Sequence, residues 1–161
     1  MSIVMSWSKC SVEIGETGAD DAMAAALSSV GTVEDKTAVL EATDGEALEK
    51  KATGGRVIAS EQLEGGFALT VRVVEPDDAL YTTLGLGAVA APDYDVKTHV
   101  VLGDWSVKVT PNNVGAIGIK APKTNIKFKP GWSDADGSYA DITFTFIKTA
   151  ADKWYTRFKK A

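Results

Sequence analysis

The run Gly85-Leu-Gly-Ala-Val-Ala90 has the Gly-x-Gly-x-x-Ala spacing of a dinucleotide fingerprint, where glycines let a backbone turn approach a pyrophosphate. That chemistry requires a strand before the glycines and a helix after them. Here the run follows a helical pattern and leads into Pro92, so a helix cap entering a loop is expected and no cofactor is assigned. Asp134-Ala-Asp136-Gly137-Ser138 alternates acidic side chains as a calcium loop does, but it lacks the remaining oxygen ligands and reads as an Asp-Gly turn. His99 is the only histidine and has no partner in the sequence that would make it a base. Cys10, the only cysteine, alternates with Val12 and Ile14 as a buried thiol would. No catalytic residue and no metal site is expected. Carboxylates are abundant, but a glycosidase pair is defined by separation in space, which abundance does not supply.

Two other sets of side chains could bind rather than react. Trp7, Trp105, Trp132 and Trp154 could stack on a sugar or another flat ligand. Three lie in or beside strand patterns, which leaves Trp132, in a Pro-Gly-Trp-Ser turn, as the exposed candidate. Lys120, Lys123, Lys127 and Lys129 form a basic stripe, the last two alternating with Ile126 and Phe128. It reads either as a solvated strand face or as a docking surface between subunits for an acidic neighbour.

These residues must be positioned by a mainly β chain. Cys10, Val12 and Ile14 alternate as a first strand, and Phe67, Leu69, Val71 and Val73 give the clearest period-two pattern. Asp44-Gly45, Gly54-Gly55 and Gly65-Gly66 punctuate a meander of four strands. Glu46 to Lys51 is polar on both faces, so residues 37–55 are expected to form a hairpin arm projecting from the core. Met23, Ala26, Leu27 and Val30 have helical spacing, as do Leu80 and Leu84 behind Pro76, Asp77 and Asp78. Further strands are expected over residues 96–102, 105–109, 117–121, 125–129, 139–148 and 153–159. The expected architecture is an antiparallel β-sandwich or barrel with one or two short helices, in one domain spanning 1–161.

Composition narrows the function. With 161 residues, 45% of them hydrophobic, the chain can bury a core without disulfides, and a lone cysteine suits a reducing cytoplasm. No apolar run approaches the roughly 18 residues of a membrane span, so no membrane partner is expected. The net charge of −5 argues against coating nucleic acid. Its distribution is uneven, with seven Lys or Arg against seventeen Asp or Glu in residues 1–100, and ten against five in residues 101–161. Such a two-ended chain favours head-to-tail self-association if the halves occupy different surfaces.

The polar stretch Glu41-Ala-Thr-Asp-Gly-Glu-Ala-Leu-Glu-Lys-Lys is followed by Gly-Gly-Arg-Val-Ile-Ala-Ser-Glu. Then come Phe-Ala-Leu-Thr-Val-Arg-Val-Val-Glu-Pro, the short helix and the late strand Tyr-Ala-Asp-Ile-Thr-Phe-Thr-Phe-Ile-Lys. This order of features resembles the major tail tube proteins of long-tailed bacteriophages. The resemblance implies a non-enzymatic virion subunit forming stacked, hexameric rings, assembled in the host cytoplasm and resident in the virion tail. It implies contacts with other tail proteins and passage of DNA without specific binding. On it, Asp44, Gly45, Glu46, Glu49, Lys50 and Lys51 would contact the adjacent ring, and Glu61 and Glu64 would line an acidic lumen. The competing expectations are a carbohydrate-binding or adhesive β-sandwich using exposed aromatics, and a capsid decoration or tail-completion protein.

Overall fold

A computed structural model describes residues 3–6 and 9–161. In chain order the elements are β1 (Cys10–Glu16), β2 (Ser28–Ser29), β3 (Thr32–Val33), β4 (Val39–Thr43), β5 (Ala47–Lys51), β6 (Val57–Gln62) and β7 (Gly66–Val74). The helix α1 (Asp78–Thr83) follows, then β8 (Gly87–Ala90), β9 (Asp93–Val96), β10 (Trp105–Pro111), β11 (Ile117–Ser133), β12 (Gly137–Phe146) and β13 (Thr156–Lys159). The fold is mainly β, as the alternating patterns require.

The main sheet runs β2-β1-β10-β11-β12-β7-β3, with β13 added beside β11 and β4 beside β7. Its two ends are joined by one short stretch of chain. β2 pairs with β1 through Glu13↔Ser29, and β3 pairs with β7 through Thr32↔Val74, with only Val30 and Gly31 between β2 and β3. Val30 N–H donates to the Val12 carbonyl at 3.0 Å and Glu34 N–H to that of Arg72 at 2.8 Å. The sheet is thereby curled into a barrel-like form, in which β2 covers part of the edge of β1 and β3 and β4 cover that of β7.

Alternation places one face of each strand inside. Val12, Ile14, Val107, Phe128, Ile142, Phe144, Val71 and Val73 are at most 2% exposed and form a single cluster. The helix covers part of this core with Leu80 and Leu84, and Tyr81 meets Phe128 edge-on with centroids 5.2 Å apart. Its limits follow the local chemistry: Asp77 is the N-cap by position, without a side-chain capping bond, Asp78 places a carboxylate in the first turn, and Gly85 ends it at φ +72°. Among the described residues no helix is long and apolar enough to cross a membrane.

Several local expectations are corrected. The helix around Met23 does not form: a single 3-10 turn covers Ala19–Asp21, Asp20 and Asp21 sit at positive φ, and the chain bends again at Ala25 and Ala26 before β2. There Ala24 N–H bonds the Ser106 hydroxyl at 2.9 Å, and only Val30 of the four periodic residues is fully buried, so barrel closure overrides helical spacing. Residues 97–104 form no strand beyond an isolated Val100↔Lys127 bridge, because the extended chain is used earlier, in the β8–β9 hairpin. The strands expected over 117–121 and 125–129 are one, β11, with Pro122 inside it. Proline is tolerated there because the β10–β11 register shifts between Trp105 and Val107, and its carbonyl accepts from the Ser106 and Thr17 hydroxyls at 2.8 and 2.7 Å.

The meander is also corrected. Four strands occur between the expected glycine pairs, but they nest: β4 pairs with β7, and β5 with β6. The result is one long ribbon whose only tip is at Gly54-Gly55. Asp44-Gly45 and Gly65-Gly66 face each other across a waist.

Candidate assembly interface

Beyond the waist the ribbon stands off the barrel as a separate two-stranded sheet, and every residue of β5 and β6 is exposed. This freestanding part spans Ala47–Gln62 rather than 37–55, since Val39–Thr43 belong to the main sheet. Asp44 and Gly45 lie at the waist and Glu46 at the base, while Glu49, Lys50 and Lys51 are on the arm itself. Lys51 and Glu49 approach only to 4.0 Å, with both side chains in solvent, so they contribute little to holding the arm. The arm is not purely polar. Leu48, Val57 and Ile58 are 45%, 45% and 54% exposed. The Val57-Ile58 run, apolar without alternation, was the sequence signal for these residues.

The waist is closed by sterics. A Cβ on Gly45 would overlap the Leu63 carbonyl oxygen, and one on Gly65 would overlap that of Thr43. The Thr43 hydroxyl straddles Gly66, accepting from its N–H and donating to its carbonyl, both at 3.1 Å.

The two expected lumen acids have different surroundings. Glu61 is on the arm, opposite Leu48. Glu64 is bound to the barrel: Oε2 accepts from Lys148 Nζ at 2.9 Å and Oε1 from Trp154 Nε1 at 3.1 Å. The lysine first, and the indole second, hold this carboxyl below the usual carboxylate range. Glu64 is therefore a paired group. Lys148 and Trp154 lie 84 and 90 residues away in sequence, and nothing local in the sequence points to them.

The lysines of the basic stripe also differ. Lys123 is occupied by Asp21 at 3.2 Å and Asp104 at 3.9 Å. Asp21 also accepts from the Ala150 N–H at 3.0 Å; that bond, more than Lys123, lowers its pKa. Lys127 and Lys129 are exposed on the outer face, opposite Thr143 and Asp141. Asp141 is gripped by Arg72 through Nε at 2.7 Å and Nη2 at 3.1 Å, and the guanidinium lies 4.3 Å from the Tyr139 ring centroid. Lys120 stands directly opposite Lys108, a pairing that repels, and Lys108 Nζ lies 5.1 Å from the Phe158 ring centroid. Lys108 thus extends the stripe. The strands β10 to β13 are contiguous, and acids of the earlier chain reach lysines in and beside them, Asp21 pairing with Lys123 and Glu64 with Lys148.

The residues with reactive side chains stay apart. His99 is exposed. Cys10 is half-buried, its thiol pushed up by burial, and it lines a chamber of about 920 Å³ at the barrel end with Val109, Ile117 and Ile119. Among the described residues no three or more His, Cys, Asp or Glu side chains are grouped to hold a metal ion. Gly85 to Ala90 runs from a helix end into β8, the reverse of a fingerprint's order. Asp134 to Asp136 form the tight β11–β12 turn. Trp105 is buried and donates to the Leu102 carbonyl at 2.9 Å, and Trp7 lies outside the described residues. Trp132 is within β11 rather than in a turn, and is 74% exposed.

No protein-family model matches this sequence, and no curated protein matches it.

Proposed function

We propose that this chain is a non-enzymatic structural subunit that self-assembles into stacked rings, six to a ring, forming a tail tube of the bacteriophage type through which DNA passes without specific binding. On this reading it works in the virion tail beside other tail proteins. The observation that carries it is the arm. An isolated two-stranded ribbon is marginal in water, and this one leaves Leu48, Val57 and Ile58 in solvent. A neighbouring subunit would bury them. The exposed Lys127 and Lys129, with Lys108 and Lys120 side by side on the neighbouring ladder, support a basic face for the head-to-tail contact that a ring of identical copies needs.

Negative-stain electron microscopy with light scattering over a concentration series tests the proposal. Rings or hollow tubes are expected, and a monomeric mass at every concentration without tubes would count against it. Replacing Ala47–Gln62 by a short Gly-Ser turn should preserve the melting of the barrel and abolish tubes; unchanged tubes would remove the arm from the contact. The exposed Trp132 favours a second reading, an adhesive carbohydrate-binding module. A glycan panel with the native chain and Trp132→Ala decides it, since the reading requires binding that the substitution removes.

A further inference from the structure

We propose that Glu64 is a latch that fixes the direction of the arm, so that a second copy of this chain meets a ribbon already aimed. The partner named here rests on the tube reading; the latch itself does not. The β4–β7 ladder stops at Thr43↔Gly66 and the β5–β6 ladder starts at Ala47↔Gln62, leaving residues 44–46 and 63–65 outside both. A two-stranded ribbon twists and bends readily where its ladder is interrupted. Leu63 N–H donates to the Glu46 carbonyl at 2.9 Å, and Gln62 Nε2 reaches the carbonyls of Gly45 and Leu63. These bonds hold the two strands together. Being internal to the ribbon, they do not set where it points.

Among the described hydrogen bonds and ion pairs of residues 44–65, only those of Glu64 leave the ribbon. Each carboxylate oxygen has its own donor, so the group is held against rotation as well as translation. Its anchors make further contacts, of which the packing of Trp154 is the firmer. Lys148 is also paired with Asp152 at 3.0 Å, and the Trp154 ring packs edge-on against Phe67 with centroids 5.7 Å apart. Phe67 in turn meets Tyr155 at 5.1 Å and Phe146 at 6.4 Å, which ties the anchor to the barrel. An arm held this way loses less conformational freedom on docking than a swinging one. Glu64 is thus a positioning residue; the docking contacts belong to the arm.

Electron-electron distance measurement between spin labels at the tip (Thr53→Cys) and on the β11–β12 turn (Ala135→Cys), in a Cys10→Ala background, reads the pose directly. With Glu64 present a single narrow distance peak is expected. Glu64→Gln, which puts an amide N–H₂ where an acceptor oxygen is needed, and Lys148→Met should each replace it with a broad distribution while the melting of the barrel is retained. A narrow peak unchanged in both variants, or a broad one already present with Glu64, would overturn the latch. The measurement is made on the unassembled chain, so it tests the latch whether or not tubes form.

Discussion

The waist offers a sharp test, because two adjacent glycines should behave in opposite ways. A Cβ at Gly65 would overlap the Thr43 carbonyl oxygen and lie 2.6 Å from its carbon and 2.7 Å from the Asp44 carbonyl carbon, all backbone atoms. To accept alanine the strands must part by on the order of an ångström, which strains packed backbone. That separation breaks the reciprocal Thr43–Gly66 pair, two bonds at 3.1 Å. At about 0.5–1.5 kcal/mol per bond, with overpacking strain added, Gly65→Ala should cost about 2 kcal/mol. For a chain of this size that lowers Tm by about 4–8 °C. At Gly66 the nearest atoms to an added Cβ are the Thr43 hydroxyl at 3.8 Å and Trp154 at 4.0 Å, ordinary contacts. Gly66→Ala should therefore be neutral or slightly stabilising through a less flexible unfolded chain. Thermal melts of the two variants, followed by circular dichroism, make the comparison. Equal Tm values would refute the claim that the waist is closed by close backbone approach.

Three more outcomes are expected. Ser106 is fully buried and serves two partners, donating to the Pro122 carbonyl at 2.8 Å and accepting from Ala24 N–H at 2.9 Å; Ser106→Ala should lose about 1–3 kcal/mol in urea titration. Phe128 is 1% exposed beneath Tyr81, and Phe128→Ala should cost about 3–5 kcal/mol by the same measurement. Finally, Glu64 has a lowered pKa, so its contribution is complete above the usual carboxylate range and is lost as pH falls through its own lower value. Lys148 has a raised pKa, from Glu64 first and Asp152 second, so its contribution is complete below the usual lysine range and is lost as pH rises through the raised value. The tip-to-barrel distance should stay narrow between those limits, and broadening already within the ordinary carboxylate range would contradict the pairing.

What could be read in advance was local. The alternation of Phe67 to Val73 and of Ile142 to Phe146 marks inward faces, and Pro76, Asp77 and Gly85 mark a helix by the geometry each permits. Of the glycine pairs only Gly54-Gly55 marks a reversal; Asp44-Gly45 and Gly65-Gly66 serve the close backbone approach at the waist, and glycine suits both uses, which is why the arm boundary was misplaced. Met23, Ala26, Leu27 and Val30 misled because four periodic residues cannot outweigh the hydrogen bonds offered by the closing barrel. In the candidate interface, the polar arm was legible from Glu46 to Lys51. The pairing of Glu64 was not, because it is made by side chains brought together only by the sheet order.

That separation of 84 residues between Glu64 and Lys148 has a consequence during synthesis. The ribbon from Val39 to Val74 is local and can form while the chain is still emerging, but β1 gains its barrel neighbour only when residues 105–111 arrive. Lys148 and Trp154 come later still, after nearly the whole barrel has been made. The strands of the arm are therefore synthesised before the groups that would orient them, and on the latch proposal a truncated or half-folded chain would carry them unaimed. On the tube reading, completion of the barrel and readiness of the arm would be one event, which would keep incomplete subunits out of a growing assembly.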